Sequence, residues 1–340
     1  MRHINIPIFI PHEGCPNDCV FCNQRTISGT HAFDISSVPA QIDEKLATLP
    51  EGEKHVELAY FGGSFTGLNK ADMRFLLAVV RRLLDEGRID AARVSTRPDY
   101  ISPDIADELK EAGVTTVELG VQSMSDRVLA ACRRGHTAAD TVRAFEILRC
   151  AGLNVVGQMM VGLPGSTRED EINTARSICD LGACAARIYP LVVLCNTELE
   201  KMSARGDFTP LPLCEAVSRA ADALEVFVGR GVEVIRIGLC ASEDLFSEDG
   251  IAAGEYSPAT GELVMGEVFL RRICAAVDAA GTGTHGKTLL VTVPPGAISK
   301  AAGHKGANRK ELAARYGFSR VKFEEDARFA GYDCDVKIIL

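Results

Sequence analysis

At 340 residues, with 46% hydrophobic and 24% charged side chains, the chain is globular and has room for one large α/β barrel-type domain and an appendage, or for two ordinary domains. A formal net charge of −9 and a pI near 5.4 exclude a surface that holds nucleic acid by charge alone, leaving only a local basic face. The opening MRHINIPIFIP is broken by proline too early for a signal peptide, no apolar run reaches the about 18 residues of a membrane span, and nine of the twelve cysteines fall singly in apolar segments, so the expected location is the reducing cytoplasm.

The β-branched run 3–10 predicts a first strand that ends at Pro11 and opens into a loop carrying Cys15, Cys19 and Cys22. A helix at about 39–48 precedes a strand at 55–61, which runs into Gly62-Gly63-Ser64. Missing side chains there let the backbone approach a ligand, or simply turn. Apolar residues at i, i+3 and i+4 predict a helix over 70–87, followed by a strand at 92–96 that delivers Ser95, Thr96 and Arg97 before Pro98, a helix at 103–112, and a strand at 114–119 leading to Gln122. Helices at 125–133 and 138–151, a strand at 154–161, a helix at 168–181, a strand at 185–194, a helix at 212–230 and a strand at 232–238 follow.

This alternation is the signature of βαβ units. The fold class expected is α/β, a partial (β/α)6-type parallel barrel with a small C-terminal α/β module. The cysteine loop, Gly62-Gly63, Ser95, Gln122, Gln158 and Tyr189 all fall near strand C-termini, the edge where such sheets bind ligands.

The pattern breaks after Gly238, so the expected division is a barrel over 1–242 and an acidic connector with a small module over 243–340. Residues 243–267 carry seven acids and no Lys or Arg, which reads as a connector, a loop over the barrel mouth or a solvated surface segment. A helix at 262–279 and a strand at 288–293 come next. Residues 285–322 then hold eight Lys or Arg against one acid, Glu311. Asn308 with Glu311 reads as an N-cap box, opening a helix whose start, flanked by Lys305, Arg309 and Lys310, is either a phosphate site or a basic exposed face. Strands at about 319–324 and 334–339 close the module.

The chemistry concentrates in the loop. Thiolates spaced C-x3-C-x2-C converge on one soft metal centre, yet three ligands are one short of a closed zinc site or of an electron-carrying cluster. A cluster with one open iron has a coordination position free for a substrate or cofactor. His12 as a fourth ligand, and thiols that are merely buried or form a redox pair, are the competing readings.

This loop after the first strand, with Phe21 before the last cysteine, resembles the radical S-adenosylmethionine (SAM) superfamily. The resemblance implies that Cys15, Cys19 and Cys22 hold three irons of a [4Fe–4S] cluster while SAM chelates the fourth. It further implies cofactor contacts from Phe21, from Gly62, Gly63 and Ser64 at the methionine amine, from Gln122 and Arg134 near the ribose and carboxylate, and from Gln158 near the adenosine. Ser95 stands where relatives place a glutamate, and Glu118 and Tyr189 are candidates to face a substrate.

The segments STRPDYI, VELGVQSMSDRVL, RRGHT, AGLNVVGQMM and RIYPLVVLCNTELEKM, within residues 3–245, resemble the radical SAM half of the catalytic subunit of the Elongator complex. The chain departs from it in closer spacing of the first two cysteines and in lacking both a basic N-terminal extension and an acetyltransferase domain. The implied function is an enzyme that cleaves SAM to a 5′-deoxyadenosyl radical acting on an unidentified substrate, with RNA modification one option, tRNA a possible partner and a flavodoxin- or ferredoxin-type electron donor. The alternative is a non-catalytic, cluster- and SAM-binding regulatory or RNA-binding protein whose segment 285–322 docks an RNA.

Overall fold

The computed structural model describes residues 2–10, 14–15, 19–23, 34–239, 245, 247, 250–281 and 283–339. His12, Cys240 and most of the acidic run 243–249 lie outside the described residues.

Seven strands make one parallel sheet in the order β1 (Arg2–Ile10), β2 (Lys54–Gly62), β3 (Ala91–Thr96), β4 (Val114–Gln122), β5 (Asn154–Val161), β6 (Ala185–Pro190), β8 (Glu233–Ile237). Parallel neighbours need crossovers, and right-handed crossovers put the helices on one face. The crossover helices are α1 (Val38–Ala47), α2 (Lys70–Asp85), α3 (Pro103–Glu111), α5 (Ala138–Cys150), α6 (Arg168–Asp180) and α8 (Leu213–Gly229), with the short α4 (Asp126–Ala131) before α5. Helix α2 shows why they settle there: Met73, Leu76, Leu77, Val80 and Leu83 form one stripe, buried against the sheet's outer face with Leu58, Val94 and Val117. Each such fully buried side chain contributes about 1.5–3 kcal/mol. Helices α5 and α6 start at capping boxes, Thr137 with Asp140 and Thr167 with Asp170, which satisfy first-turn N–H groups otherwise left without partners.

The inner face is concave. The Arg187 guanidinium on β6 lies 5.1 Å from the Phe61 ring on β2, a contact across the sheet that a flat sheet would not permit. Among the described residues no pairing joins β8 to β1, so the architecture is the expected partial barrel, curved and open at one seam.

The predicted strand 185–194 is two strands. It breaks after Pro190, and β7 (Val193–Leu194) pairs antiparallel with β9 (Ile251–Ala253), so the described part of the acidic segment includes a strand. Helix α7 (Glu198–Arg205), capped by Thr197, follows and was not expected.

The long helix α9 (Thr260–Ala280) joins the two hydrophobic cores. Val264 and Val268 belong to the barrel core, whereas Phe269, Ile273 and Val277 pack with β10 (Thr288–Val293), β11 (Arg320–Glu325) and the helices between them. Arg271 fastens α9 to α8 through Asp222 at 2.7 Å, Glu225 at 3.0 Å and the carbonyl of Ser218 at 2.9 Å. The module's sheet runs β11-β10-β12, with β12 (Asp335–Ile339) antiparallel to β10.

The basic helix α11 (Ala307–Tyr316) begins one residue before Asn308, after Gly306 in the left-handed region at φ 73°. Asn308 is not its N-cap. The residue is buried, and Nδ2 donates to the carbonyls of Gly266 at 2.7 Å and of Ala301 in α10 (Ile298–Ala302) at 3.1 Å, an amide NH2 having two hydrogens to give. Lys305, Arg309 and Lys310 are exposed, with Arg309 over the Phe323 ring.

Candidate active site

The site begins with two pieces of backbone pressed together. Gly14 adopts φ +70°, and a Cβ on it would stand 2.1 Å from the carbonyl oxygen of Ser64; a Cβ on Gly67 would stand 2.1 Å from the carbonyl oxygen of Gly14. Only glycine at both positions lets the cysteine loop lie directly on the turn that leaves β2. Gly62, at φ +110°, is held against Ile10 in the same way, and the N–H of Gly63 donates to the Ile10 carbonyl at 2.7 Å. The loop is therefore clamped between the ends of β1 and β2.

The far side of the loop is clamped too. Val20 N–H donates to the Cys132 carbonyl at 3.1 Å, Leu199 N–H donates to the Val20 carbonyl at 2.7 Å, and Asn23 Nδ2 donates to the Cys195 carbonyl at 2.9 Å. Val20 is buried with Val128, Leu163, Val193 and Leu199, and Phe21 packs against that cluster. The cysteine loop thus spans the C-terminal mouth from the β1–β2 end to the segment after β6.

A hydroxyl knot sits under it. Thr96 Oγ1 lies 2.8 Å from Ser64 Oγ and 2.6 Å from Thr66 Oγ1, and the Arg97 N–H donates to Ser64 Oγ at 3.3 Å. Arg97 is 2% exposed; it forks onto Asp99 at 3.0 and 2.9 Å and donates to the Arg134 carbonyl at 2.6 Å. Arg134 in turn donates to Cys19 Sγ at 3.5 Å and to the Gly120 carbonyl at 2.9 Å. A Cβ on Gly120 would meet the side chains of both Arg134 and Gln122, so that glycine is what lets the two converge.

Electrostatics follow from burial and from these two arginines. Burial pushes the Cys15 thiol up; Arg134 and Arg97 oppose that, as does a backbone hydrogen bond from Ser64, while Cys19 adds to it. Burial, with Cys19 beside it, pushes Cys132 up to about 12. Burial and then Arg134 hold His136 down at about 4, so it is neutral at pH 7, with Nε2 3.3 Å from the Val121 carbonyl.

Among the described residues no three Cys, His, Asp or Glu side chains are gathered around a single ion. Cysteines bound to different irons of a cluster stand further apart than ligands sharing one ion, so that spacing is compatible with a cluster. The donor set fits an anionic iron–sulfur cluster and a polar cofactor: three thiols, two guanidinium groups beside them, and two buried polar atoms, Gln122 Oε1 and Arg97 Nη1, without a hydrogen-bond partner among the described residues. Gln122 is further held at φ 65°, an unusual conformation for a side-chain-bearing residue.

Of the residues singled out in the sequence, Cys15, Cys19, Phe21, Cys22, Gly62, Gly63, Ser64, Gln122 and Arg134 come together at the mouth. Ser95 and Gln158 lie on the inner face, Ser95 with Oγ 3.5 Å from Glu118 and Gln158 in register with Gly120 and Arg187. Thr96 and Arg97, delivered by the strand that Pro98 ends, join Ser64 as the sequence placed them at a strand end, whereas Thr66 carried no signal in the sequence.

A model of the Radical SAM superfamily matches residues 9–178, and one of the Radical_SAM C-terminal domain matches residues 184–268. A tRNA uridine(34) acetyltransferase of Methanocaldococcus jannaschii is 31% identical over 255 residues, covering 62% of this chain and 47% of the relative. An uncharacterized protein of the same organism is 30% identical over 223 residues, covering 62% of this chain and 68% of its own length. The archaeal Methanocaldococcus infernus Elp3 with an N-terminal deletion superposes with a TM-score of 0.61 at 26% identity, covering 78% of this chain and 62% of that one. The chain spans about half the length of the first of these curated relatives.

Proposed function

Given that the chain belongs to the radical SAM superfamily of enzymes and is Elongator-like, we propose that it binds a [4Fe–4S] cluster through Cys15, Cys19 and Cys22 and cleaves SAM at the mouth of the half-barrel. The observation that supports this most is the glycine-on-glycine packing of Gly14 and Gly67, which fixes Cys15 and Cys19 beside Arg97 and Arg134. When bound, the cluster supplies the electron that breaks the sulfonium C–S bond and yields the 5′-deoxyadenosyl radical.

The rest is the work of this chain's own side chains. Arg134 holds Cys19 in place and counters thiolate charge. With SAM bound, Gly62, Gly63 and Ser64 would offer backbone groups to the methionine amine, Gln122 and Arg134 would serve the ribose and carboxylate, and Gln158 would lie near the adenosine. Phe21 and its apolar neighbours keep water from the mouth. The barrel over 1–242 is the catalytic unit, and 243–340 is an appended module fastened by α9.

A tRNA substrate is supported by the names of the relatives and opposed by the net charge of −9. A flavodoxin or ferredoxin is the electron donor in this reading, and the cytoplasm its location. Among the described residues no helix is long and apolar enough to cross a membrane.

The test is anaerobic reconstitution followed by a dithionite assay for 5′-deoxyadenosine. The wild type yields it, and Cys15→Ala, Cys19→Ala and Cys22→Ala each abolish it. Cleavage that survives all three replacements would overturn the proposal.

A further inference from the structure

Below the mouth, the inner face carries a chain of charged groups across five strands. His3 Nε2 lies 3.3 Å from Glu57, Glu57 is 2.6 Å from Arg93, Arg93 is 2.9 Å from Glu118, and Glu118 is 2.7 Å from Arg187. Two carboxylates answer two guanidinium groups, so the ladder is balanced up to this point. Arg187 also donates to the Tyr189 hydroxyl oxygen at 3.2 Å.

The balance fails at the next strand. Arg236 on β8 is the register partner of Arg187, half-buried, and has no carboxylate partner among the described residues; its one hydrogen bond there runs from Nε to the Gly238 carbonyl at 3.2 Å. Like charges side by side on neighbouring strands are destabilising, more so as water is removed.

The sheet goes out of its way to make this pair. Between β6 and β8 the register slips, from Ala186 opposite Val234 to Arg187 opposite Arg236. Without that bulge Ile235 would stand beside Arg187, and Arg236 would turn to the helix-covered face. Bulges of this kind re-aim a side chain, often next to active sites. The hydrogen bond to Gly238 draws Arg236 along its strand toward the mouth. Two more donors belong to the neighbouring strand β6: Arg187 Nε is buried without a hydrogen-bond partner among the described residues, and the Tyr189 hydroxyl, accepting from Arg187, keeps its own hydrogen to give. Burial pushes that phenol up, so it stays protonated at neutral pH.

We propose that Arg236, Arg187 and Tyr189 form a subsite for an oxyanion, a carboxylate or a phosphoryl group, carried by the substrate. The proposal rests on reading the lumen as the substrate chamber of a radical SAM enzyme. It goes beyond that reading by requiring a substrate with a negative end, lodged at the open β6–β8 side while the reacting carbon points to the mouth. A planar guanidinium suits either oxyanion through paired N–H donors.

The experiment is calorimetric titration of anaerobically reconstituted protein, without reductant, with inorganic phosphate and with succinate as separate probes, ionic strength held constant with sodium chloride. Saturable binding of at least one probe is expected, and the stronger of the two identifies the phosphoryl or the carboxylate source. Arg236→Gln weakens it about tenfold or more, Arg236→Lys recovers part, Tyr189→Phe weakens it by less, and Arg205→Gln on the exposed face of α7 leaves it as in the wild type. If neither probe binds, or if both Arg236→Gln and Tyr189→Phe bind as the wild type does, the subsite is refuted. Protein that cleaves SAM but binds neither probe would sink this inference alone. Protein that binds a probe through Arg236 but never cleaves SAM would sink the radical reading alone.

Discussion

The mouth and the lumen of the half-barrel solve opposite problems with opposite materials. At the mouth, Gly14 and Gly67 remove side chains so that two loops touch backbone to backbone, and the hydroxyls of Ser64, Thr66 and Thr96 and the guanidinium groups of Arg97 and Arg134 gather around that contact. Below it, the inner face carries long charged side chains from β2, β3, β4 and β6 that neutralise one another. The mouth is shaped by what is missing, and the lumen by what is paired. A group positioned by backbone contact tolerates little change in size, whereas a group positioned by charge tolerates changes in size but not in charge.

The contrast is broken most severely at the mouth. Gly67→Ala puts a methyl where the Gly14 carbonyl stands. The expected outcome is a folded barrel that takes up little or no iron on reconstitution, measured by metal analysis beside a circular dichroism spectrum that matches the wild type. In the lumen, Glu118→Gln keeps the size and removes the charge between Arg93 and Arg187. Loss of one member of a buried ionic set costs about 3–5 kcal/mol, read from urea unfolding at pH 7.

His136, buried behind the mouth, sharpens the comparison through pH. Its folded pKa of about 4 lies below the ordinary value near 6.5, so the folded state favours the neutral ring. That contribution is complete above pH 6.5 and disappears as pH falls toward 4. Unfolding free energy should drop by roughly 2–3 kcal/mol across that window from this group alone. His136→Gln should flatten the slope in urea titrations at pH 7, 6 and 5. The smallest effect is expected away from both regions, where Asn308→Ala removes two buried hydrogen bonds between α11 and its neighbours and lowers stability by about 1–2 kcal/mol.

The same division explains what could be read from the sequence. The mouth is written locally: three cysteines within eight residues, Gly62-Gly63-Ser64 closing an apolar strand, and helices and strands alternating at regular steps are visible without a structure. The lumen is written at long range. Glu57, Arg93, Glu118 and Arg187 sit 25 to 69 positions from their partners, and although Glu118 stands out near a strand end, no local pattern records which charges it meets. Arg236 was further hidden by the bulge, which reverses the alternation that would assign its face. Asn308 misled for a related reason: Asn with Glu three residues later fits a cap, and only the approach of Gly266 and Ala301 gives the amide better partners inside. The strand break at Pro190 and helix α7 depend on pairing between β7 and β9, again a contact no local pattern records.

The claim on which the function depends is that the mouth holds a cluster with one iron left for SAM. Electron paramagnetic resonance of the dithionite-reduced, anaerobically reconstituted protein, recorded before and after SAM is added, tests it directly. The account predicts a reduced-cluster signal whose g-values shift on addition of SAM. A signal that SAM leaves unchanged, or protein that returns zinc in place of iron, would contradict it.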